Sequence, residues 1–279
     1  MYEVNYQRAS SVDDAVSKAS AGAGGEAIFL SGGQSLLPVM KQRLAQPEGL
    51  VDISKIGELA GIEVSGNSVK IGAMTRHAEV AASKELEAVC PCITGLASQI
   101  GDPHVRHMGT IGGSVANYDP AADYPAALLA LDATIHTNRR EVKADEFFGG
   151  LFETALEEGE LVTAVSWEAP DKGHYEKFRN PASRYAMAGV FVARTKDGVR
   201  AAVTGAGNDG VFRHEGLEAR IAAGDVDGIE GIEIDEGAML ADLHGSAAYR
   251  ANLVRVMAKR AARRLASGGG AQDHTQGSA

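Results

Sequence analysis

Two short stretches surround a glycine pair with hydroxyl side chains: Ser31-Gly32-Gly33-Gln34-Ser35 and Thr110-Ile111-Gly112-Gly113-Ser114. Neither holds a nucleophile beside a base, and neither holds a set of metal ligands. What they offer is donors. Glycine lets the backbone turn freely and lets a ligand approach the main chain closely. Successive exposed N–H groups make a nest for an anion, and a helix starting beyond the loop adds its positive end. One such loop is an ordinary tight turn. Two can clamp a diphosphate from opposite sides, which suits a dinucleotide; glycine used for turn geometry alone is the alternative.

Acidic residues follow the second loop at Asp119, Asp123 and Asp132. Carboxylates do not bind phosphate, but they accept hydrogen bonds from a ribose, a ribityl chain or a flavin ring. Asp123 is the best placed, at a helix entry just past "SVANYDPAA", whereas Asp132 reads as a solvated or capping residue. "GAGNDG" at 205–210 matches the G-x-G-x-x-G dinucleotide fingerprint. That motif needs a βαβ context, and here Asn208-Asp209-Gly210 is turn chemistry after strands that read as antiparallel. It is read as a turn between sheet and helix. Cys90, Cys92, His104 and His107 spell C-x-C…H-x-x-H. Structural zinc sites space their cysteines more widely, and "CPC" lies in an apolar helical region where free cysteine behaves as a small hydrophobe. No Ser-His-Asp, H-E-x-x-H or Walker pattern is present. If the chain is catalytic, a bound cofactor carries the reaction.

The elements that must position these loops are legible. Ser11 caps a helix over 10–20, with Asp13 and Asp14 in its first turn. "EAIFL" is a strand feeding the first loop, and "LLPVMKQRLA" (36–45) a helix with Pro38 in its first turn. "LVDIS" (50–54) alternates as a strand, and "GIEVSGNSVKIGAMT" reads as a hairpin. Residues 75–100 are helical with a break at Pro91. "DYPAALLALDATI" gives a short apolar helix and then a strand, and "ELVTAVSWEAP" another strand. From about 171 the texture becomes consecutive strands turning at Lys196-Asp197-Gly198. A long C-terminal helix places Tyr249, Leu253, Val256, Met257, Ala261 and Leu265 on one stripe, with Lys259, Arg260, Arg263 and Arg264 outside it. The class is α+β: two small α/β lobes with a boundary near 55–60, then a second domain of antiparallel sheet plus helices. The closing "SGGGAQDHTQGSA" has no apolar period and is expected to be disordered.

Bulk composition narrows the function. Hydrophobic residues make up 44 % of the 279 positions, enough for a well-filled core. A net charge of −10 argues against a nucleic-acid partner, and 5 % aromatics against a base-stacking surface. Two cysteines one residue apart fit a reducing compartment. The start "MYEVNYQRAS" is polar and no stretch approaches a membrane span, so a cytoplasmic protein is expected.

The stretches "LSGGQSLLPVMKQRLAQPEGLVDIS" and "IGDPHVRHMGTIGGSVANYDPAADYPAALLALDATI" resemble the FAD-binding medium subunit of molybdenum hydroxylases. That family includes the flavin subunit of aerobic carbon monoxide dehydrogenase and the flavin domain of xanthine dehydrogenase. The likeness runs from about residue 2 to 266, and "SAAYRANLVRVMAKRA" resembles the end of the family's C-terminal domain. The resemblance implies a two-lobed vanillyl-alcohol-oxidase-type (PCMH) FAD-binding domain over 1–170, with lobes of about 1–57 and 58–170. A C-terminal antiparallel-sheet-plus-helices domain over 171–267 and a disordered tail over 268–279 would follow. Ser31, Gly32, Gly33, Gln34, Ser35, Thr110, Ile111, Gly112, Gly113 and Ser114 would hold the FAD diphosphate. Asp123, Leu161 and Lys177 match positions that touch FAD in relatives, and Tyr185 a position where some place a tyrosine over the flavin. Gln34 stands where many relatives have histidine, so the FAD would be non-covalent. Two cysteines cannot bind the extra iron–sulfur cluster of the 4-hydroxybenzoyl-CoA reductases, which excludes that branch.

The implied activity is oxidoreductase electron transfer. A large molybdopterin-binding subunit would oxidise the substrate, a small subunit with two 2Fe–2S clusters would relay electrons, and the FAD here would pass them to an external acceptor. The assembly implied is a dimer of heterotrimers. The alternatives are a stand-alone NAD-dependent oxidoreductase using 205–210, and a non-catalytic scaffold subunit.

Overall fold

A parallel three-stranded sheet is built first. In the computed structural model, which describes residues 1–21 and 27–267, β1 (Asn5–Arg8) leads through α1 (Val12–Ser20) to β2 (Ala27–Leu30). Then α2 (Leu36–Lys41) returns the chain to β3 (Gly49–Asp52), which pairs in parallel with both other strands. Parallel neighbours need a crossover, and the two helices supply it. α1 starts as its sequence predicts: Ser11 Oγ accepts from the Asp14 N–H at 3.1 Å. α2 stops at Lys41 rather than 45, because Arg43 sits at φ +62, in the left-handed region that ends a helix. The tail expectation for 268–279 lies outside the described residues.

The hairpin appears as β4 (Ile62–Ser65) and β5 (Ser68–Gly72), closed by Gly66-Asn67. A run of short helices follows: α3 (His77–Ala82), α4 (Lys84–Val89), α5 (Pro91–Ser98), α6 (Pro103–Met108), α7 (Ile111–Asn117) and α8 (Tyr124–Ala130). Pro91 opens α5, where its missing N–H costs nothing. β6 (Thr134–Thr137), β7 (Glu141–Lys143), α9 (Ala144–Phe147) and β8 (Val162–Glu168) come next. The resulting antiparallel sheet has the order β4-β5-β8-β6-β7.

β9 (Lys172–Arg179), β10 (Ala186–Thr195), β11 (Gly198–Gly207) and β12 (Gly210–Arg213) form an antiparallel meander. The 205–210 motif is the β11–β12 hairpin turn, with Gly207 opposite Gly210. It therefore joins strand to strand, not sheet to helix as its sequence suggests, and α10 (Glu215–Ala222) begins only after β12. α11 (Ala247–Ala266) then packs on the meander. Leu253, Met257, Ala261 and Leu265 are buried as the stripe predicts, but Tyr249 is 41 % exposed. The unexpected member is Arg250, buried where its Nη1 donates to the carbonyls of Met187 at 2.7 Å and Gly205 at 2.8 Å.

The meander is a shared wall between two cores. Val190 and Val192 face the core under α11, while Phe191 and Ala193 face the core that contains α8. That explains why β10 reads as an unbroken apolar run. Every residue of α8 is buried, as its uniformly apolar sequence requires.

Candidate functional site

A cavity of about 590 Å³ is lined by residues from all three sheets. The ends of β2 and the Ser31–Ser35 turn form one side, and Gly109–Ser114 another. The entry to α8, the start of β8, Lys177 on β9 and the 183–185 turn complete it. Every sequence-predicted site residue lines it except Ile111, which is fully buried in the core beneath. That residue holds the second turn in place and presents no surface to a ligand.

The two glycine turns converge. Ser31 Oγ and Thr110 Oγ1 share a hydrogen bond of 2.6 Å. A Cβ on Gly32 would lie 2.1 Å from the Met108 carbonyl oxygen, so the two backbones touch. Gly33 takes φ +68, open to glycine at little cost.

They are not, however, the equivalent nests that their sequences suggest. The second stretch is not a loop, as its sequence suggests, but the first turn of α7 capped by Thr110, and its amides from Ile111 to Ser114 are already bonded. The Ile111 N–H donates to Thr75 O at 3.0 Å and that of Gly112 to Ala73 O at 2.8 Å. The Gly113 N–H donates to Thr110 Oγ1 at 3.1 Å and that of Ser114 to Thr110 O at 3.0 Å. In the first turn, none of the N–H groups from Gly32 to Ser35 donates within the protein among the described residues. The first turn is thus the source of free main-chain donors. The second offers a close glycine surface and the Ser114 hydroxyl. The echoed motif conceals this because β5 and its exit, which take up the amides of Ile111 and Gly112, lie far away in sequence.

Asp123 and Lys177 form a buried ion pair of 2.9 Å, with side chains 5 % and 0 % exposed. Tyr175 O–H donates to the other Asp123 oxygen. Burial, and then Asp123, push the Tyr175 phenol well above its ordinary range. Lys177 also donates to Gln99 O at 3.4 Å, so its enclosed ammonium is held from two sides. Asp119 is half-buried and accepts from the Ala121 N–H, and burial raises its carboxyl. Asp132 pairs with Lys143 at the surface, as read from sequence. Leu161 is buried at the start of β8, its N–H fixed by Asn138 Oδ1 at 2.8 Å. The neighbouring Glu160 carboxylate accepts from Arg140, and that hydrogen bonding holds it down at about 2. Tyr185 is 42 % exposed at the mouth.

Sequence reasoning missed Tyr175, Gln99, Gly109 and His77. Strand alternation offered one signal, since Tyr175 and Lys177 are two apart on β9 and share a face. The cysteines sit elsewhere, buried with their sulfurs 3.5 Å apart, while His104 and His107 are exposed on α6. Among the described residues no group of three or more His, Cys, Asp or Glu side chains is placed to hold a metal ion. No helix among them is long and apolar enough to cross a membrane.

Free amides and an enclosed ammonium at the wall of one cavity, with glycines that let the two backbones close on each other, together fit an anionic cofactor with a flat end. Residues 2–167 match the family described as the FAD binding domain in molybdopterin dehydrogenase. The chain belongs to this family. It is 37 % identical to the carbon monoxide dehydrogenase medium chain of Afipia carboxidovorans, over 93 % of this chain and 96 % of that one. It is 32 % identical to the nicotine 6-hydroxylase medium subunit of Paenarthrobacter nicotinovorans, over 92 % and 95 %. Its fold matches a structure of carbon monoxide dehydrogenase from Hydrogenophaga pseudoflava with a TM-score of 0.84 and 33 % identity, covering 96 % and 99 % of the two chains. The resemblance read from the two glycine motifs holds, and membership of the molybdopterin-dehydrogenase FAD-binding family makes the chain an oxidoreductase subunit.

Proposed function

We propose that this chain is the FAD-binding electron-transfer subunit of a heterotrimeric molybdenum hydroxylase, relaying electrons from the 2Fe–2S clusters of a small partner to an external acceptor. A large molybdopterin-binding partner would carry the substrate site, and the whole would be a cytoplasmic dimer of heterotrimers. The observation that carries the reading is the convergence of the two glycine turns on one cavity beside the Asp123–Lys177 pair. Names of relatives such as the carbon monoxide dehydrogenase medium chain support the assembly.

FAD, when bound, supplies the two-electron redox chemistry. This chain's residues position it. The free amides of Gly32, Gly33, Gln34 and Ser35 take the diphosphate from one side. Thr110, Gly112, Gly113 and Ser114 wall the other, with Ile111 as their buried anchor. Lys177 stands at the cavity wall as its positive charge, and Asp123 with Tyr175 fixes that ammonium in place. Leu161 supplies an apolar contact, and Tyr185 covers one face of the flavin. On this reading residues 1–170 form the two-lobed PCMH-type unit, with lobes meeting near 57, and 171–267 the C-terminal unit.

The stand-alone NAD reading loses its footing because the 205–210 turn is a hairpin without a following helix. The test is direct. The purified full-length chain is expected to show flavin absorption, to release intact FAD in acid and to rebind it. A folded, colourless chain that ignores added FAD overturns the reading. Gly113→Val is expected to abolish rebinding, since its first carbon already meets Thr110 Oγ1 at 2.9 Å and Ser31 Oγ at 3.3 Å.

A further inference from the structure

The N-terminal residue of α3 is a histidine that lines the cavity and has no assigned part in it. His77 is 5 % exposed. Its main-chain N–H donates to Gly109 O at 2.9 Å, which fixes the ring against the second glycine turn. A Cβ on Gly109 would lie 2.7 Å from His77 Nε2, so the ring can pack against this backbone only because position 109 carries no side chain. Nδ1 is sealed from solvent with no hydrogen-bond partner, whereas Nε2 is not sealed. The ring packs against Tyr124, centroids 5.5 Å apart.

These contacts decide the tautomer. A buried N–H without an acceptor is rarer and costlier than a buried lone pair without a donor. The proton therefore belongs on Nε2, and the bare lone pair is the one sealed inside. Burial first, and the Arg106 charge second, hold the imidazole's pKa down to about 4, so near neutral pH it is an uncharged donor. The amides of Ile111 to Ser114 on this side of the cavity are already bonded inside the protein. A diphosphate lying between the turns meets free amides on the Gly32–Ser35 side and finds those of Ile111 to Ser114 taken on the other.

We propose that His77 Nε2–H is the donor that completes the diphosphate site from the second-turn side, a binding residue outside both glycine motifs. The proposal rests on the FAD reading above. It explains why an imidazole with neither nitrogen hydrogen-bonded stands at the cavity wall: the open nitrogen is pre-placed for an anionic oxygen.

The test uses the full-length chain stripped of FAD and titrated by flavin fluorescence. His77→Phe keeps the ring volume and removes the nitrogens. A hydrogen bond to a charged group is worth enough that its loss should weaken FAD about ten- to a hundredfold. ADP, which carries the diphosphate, should weaken by a similar factor in a competition titration, while riboflavin, which lacks it, should not change. His77→Gln, which retains an N–H, should recover part of the loss. Should His77→Phe misfold by circular dichroism, ¹⁵N-histidine spectra of the unmutated chain serve instead. They should show Nδ1 unprotonated at neutral pH and an Nε2–H resonance that shifts on adding ADP. Unchanged FAD and ADP affinities in a folded His77→Phe, a protonated Nδ1, or an Nε2 blind to ADP would each overturn the assignment of His77 alone. Failure of the unmutated chain to bind FAD at all would instead overturn the functional reading.

Discussion

Removing the Asp123 carboxylate should be among the most damaging single changes in the molecule, and the structure says how damaging. Asp123→Ala leaves the Lys177 ammonium, fully enclosed, with only the Gln99 carbonyl at 3.4 Å, and strands the Tyr175 hydroxyl. Breaking a buried ion pair from one side costs about 3–5 kcal/mol. An orphaned hydroxyl adds roughly 1–3 kcal/mol, not fully additive. A loss of about 5 kcal/mol is a third or more of the ~5–15 kcal/mol that holds a typical domain together. Lys177→Met should cost less, because Asp123 keeps the Tyr175 donor. Asp123→Ala with Lys177→Met removes both charges and should regain a large part of the loss, giving a coupling of roughly 2 kcal/mol or more. Urea unfolding of the FAD-free chain measures all four species, provided the denaturant slope stays constant. FAD titration should show weakened binding even in the double variant, since the Lys177 charge at the cavity wall is gone. A loss below about 1 kcal/mol in Asp123→Ala, or strict additivity in the double variant, would refute the buried-pair argument.

Gly32→Ala should force the two turns apart, because its Cβ would overlap the Met108 carbonyl; a loss of about 1–3 kcal/mol in thermal or urea unfolding, with weakened FAD binding, is expected. Tyr185→Ala should leave FAD bound but alter the rate at which reduced flavin passes electrons to acceptors, read by stopped-flow absorbance; identical kinetics would remove Tyr185 from the flavin's face. Glu160, held down at about 2 from an ordinary 4.5, contributes stability that is fully present above pH 4.5 and is lost as pH falls toward 2. Glu160→Gln should therefore flatten the acid limb of melting temperature against pH, and an unchanged limb would show that Arg140, 41 % exposed, adds little.

Much of this was readable from residue types. Caps, proline breaks and alternation located α1, α2, the β4–β5 hairpin, α5, α8 and α11, because those signals are local: Ser11 reaches three residues on, and Pro91 acts on its own turn; β1, α6, α7, β7 and α9 went unread. The cavity's walls were legible from the two glycine motifs, and the ends of α2 and of the 205–210 turn were misread only in detail. What stayed hidden depends on contacts between distant segments. Nothing near Gly112 announces that its N–H will be taken by Ala73, nor does the sequence around His77 announce Gly109 as its neighbour. Arg250 shows the same limit from the other side. Nothing in its own helix marks it for burial, yet the carbonyls of Met187 and Gly205 and the carboxylate of Asp242 make a buried place for it.

Lys177 stands on a ladder, opposite Gly189 of β10, and its head is tethered at two points. Tyr185 stands instead on the connection between those two strands, anchored through Asn180, whose N–H reaches the Tyr185 carbonyl. The positive charge and the aromatic cover thus belong to one hairpin but to parts of it with different freedom to vary. On the proposed reading, with Tyr185 over the flavin, lengthening or recutting the connection would change what can approach the cofactor while leaving the charge where it is, so a subunit of this design could meet new electron acceptors through edits to one turn.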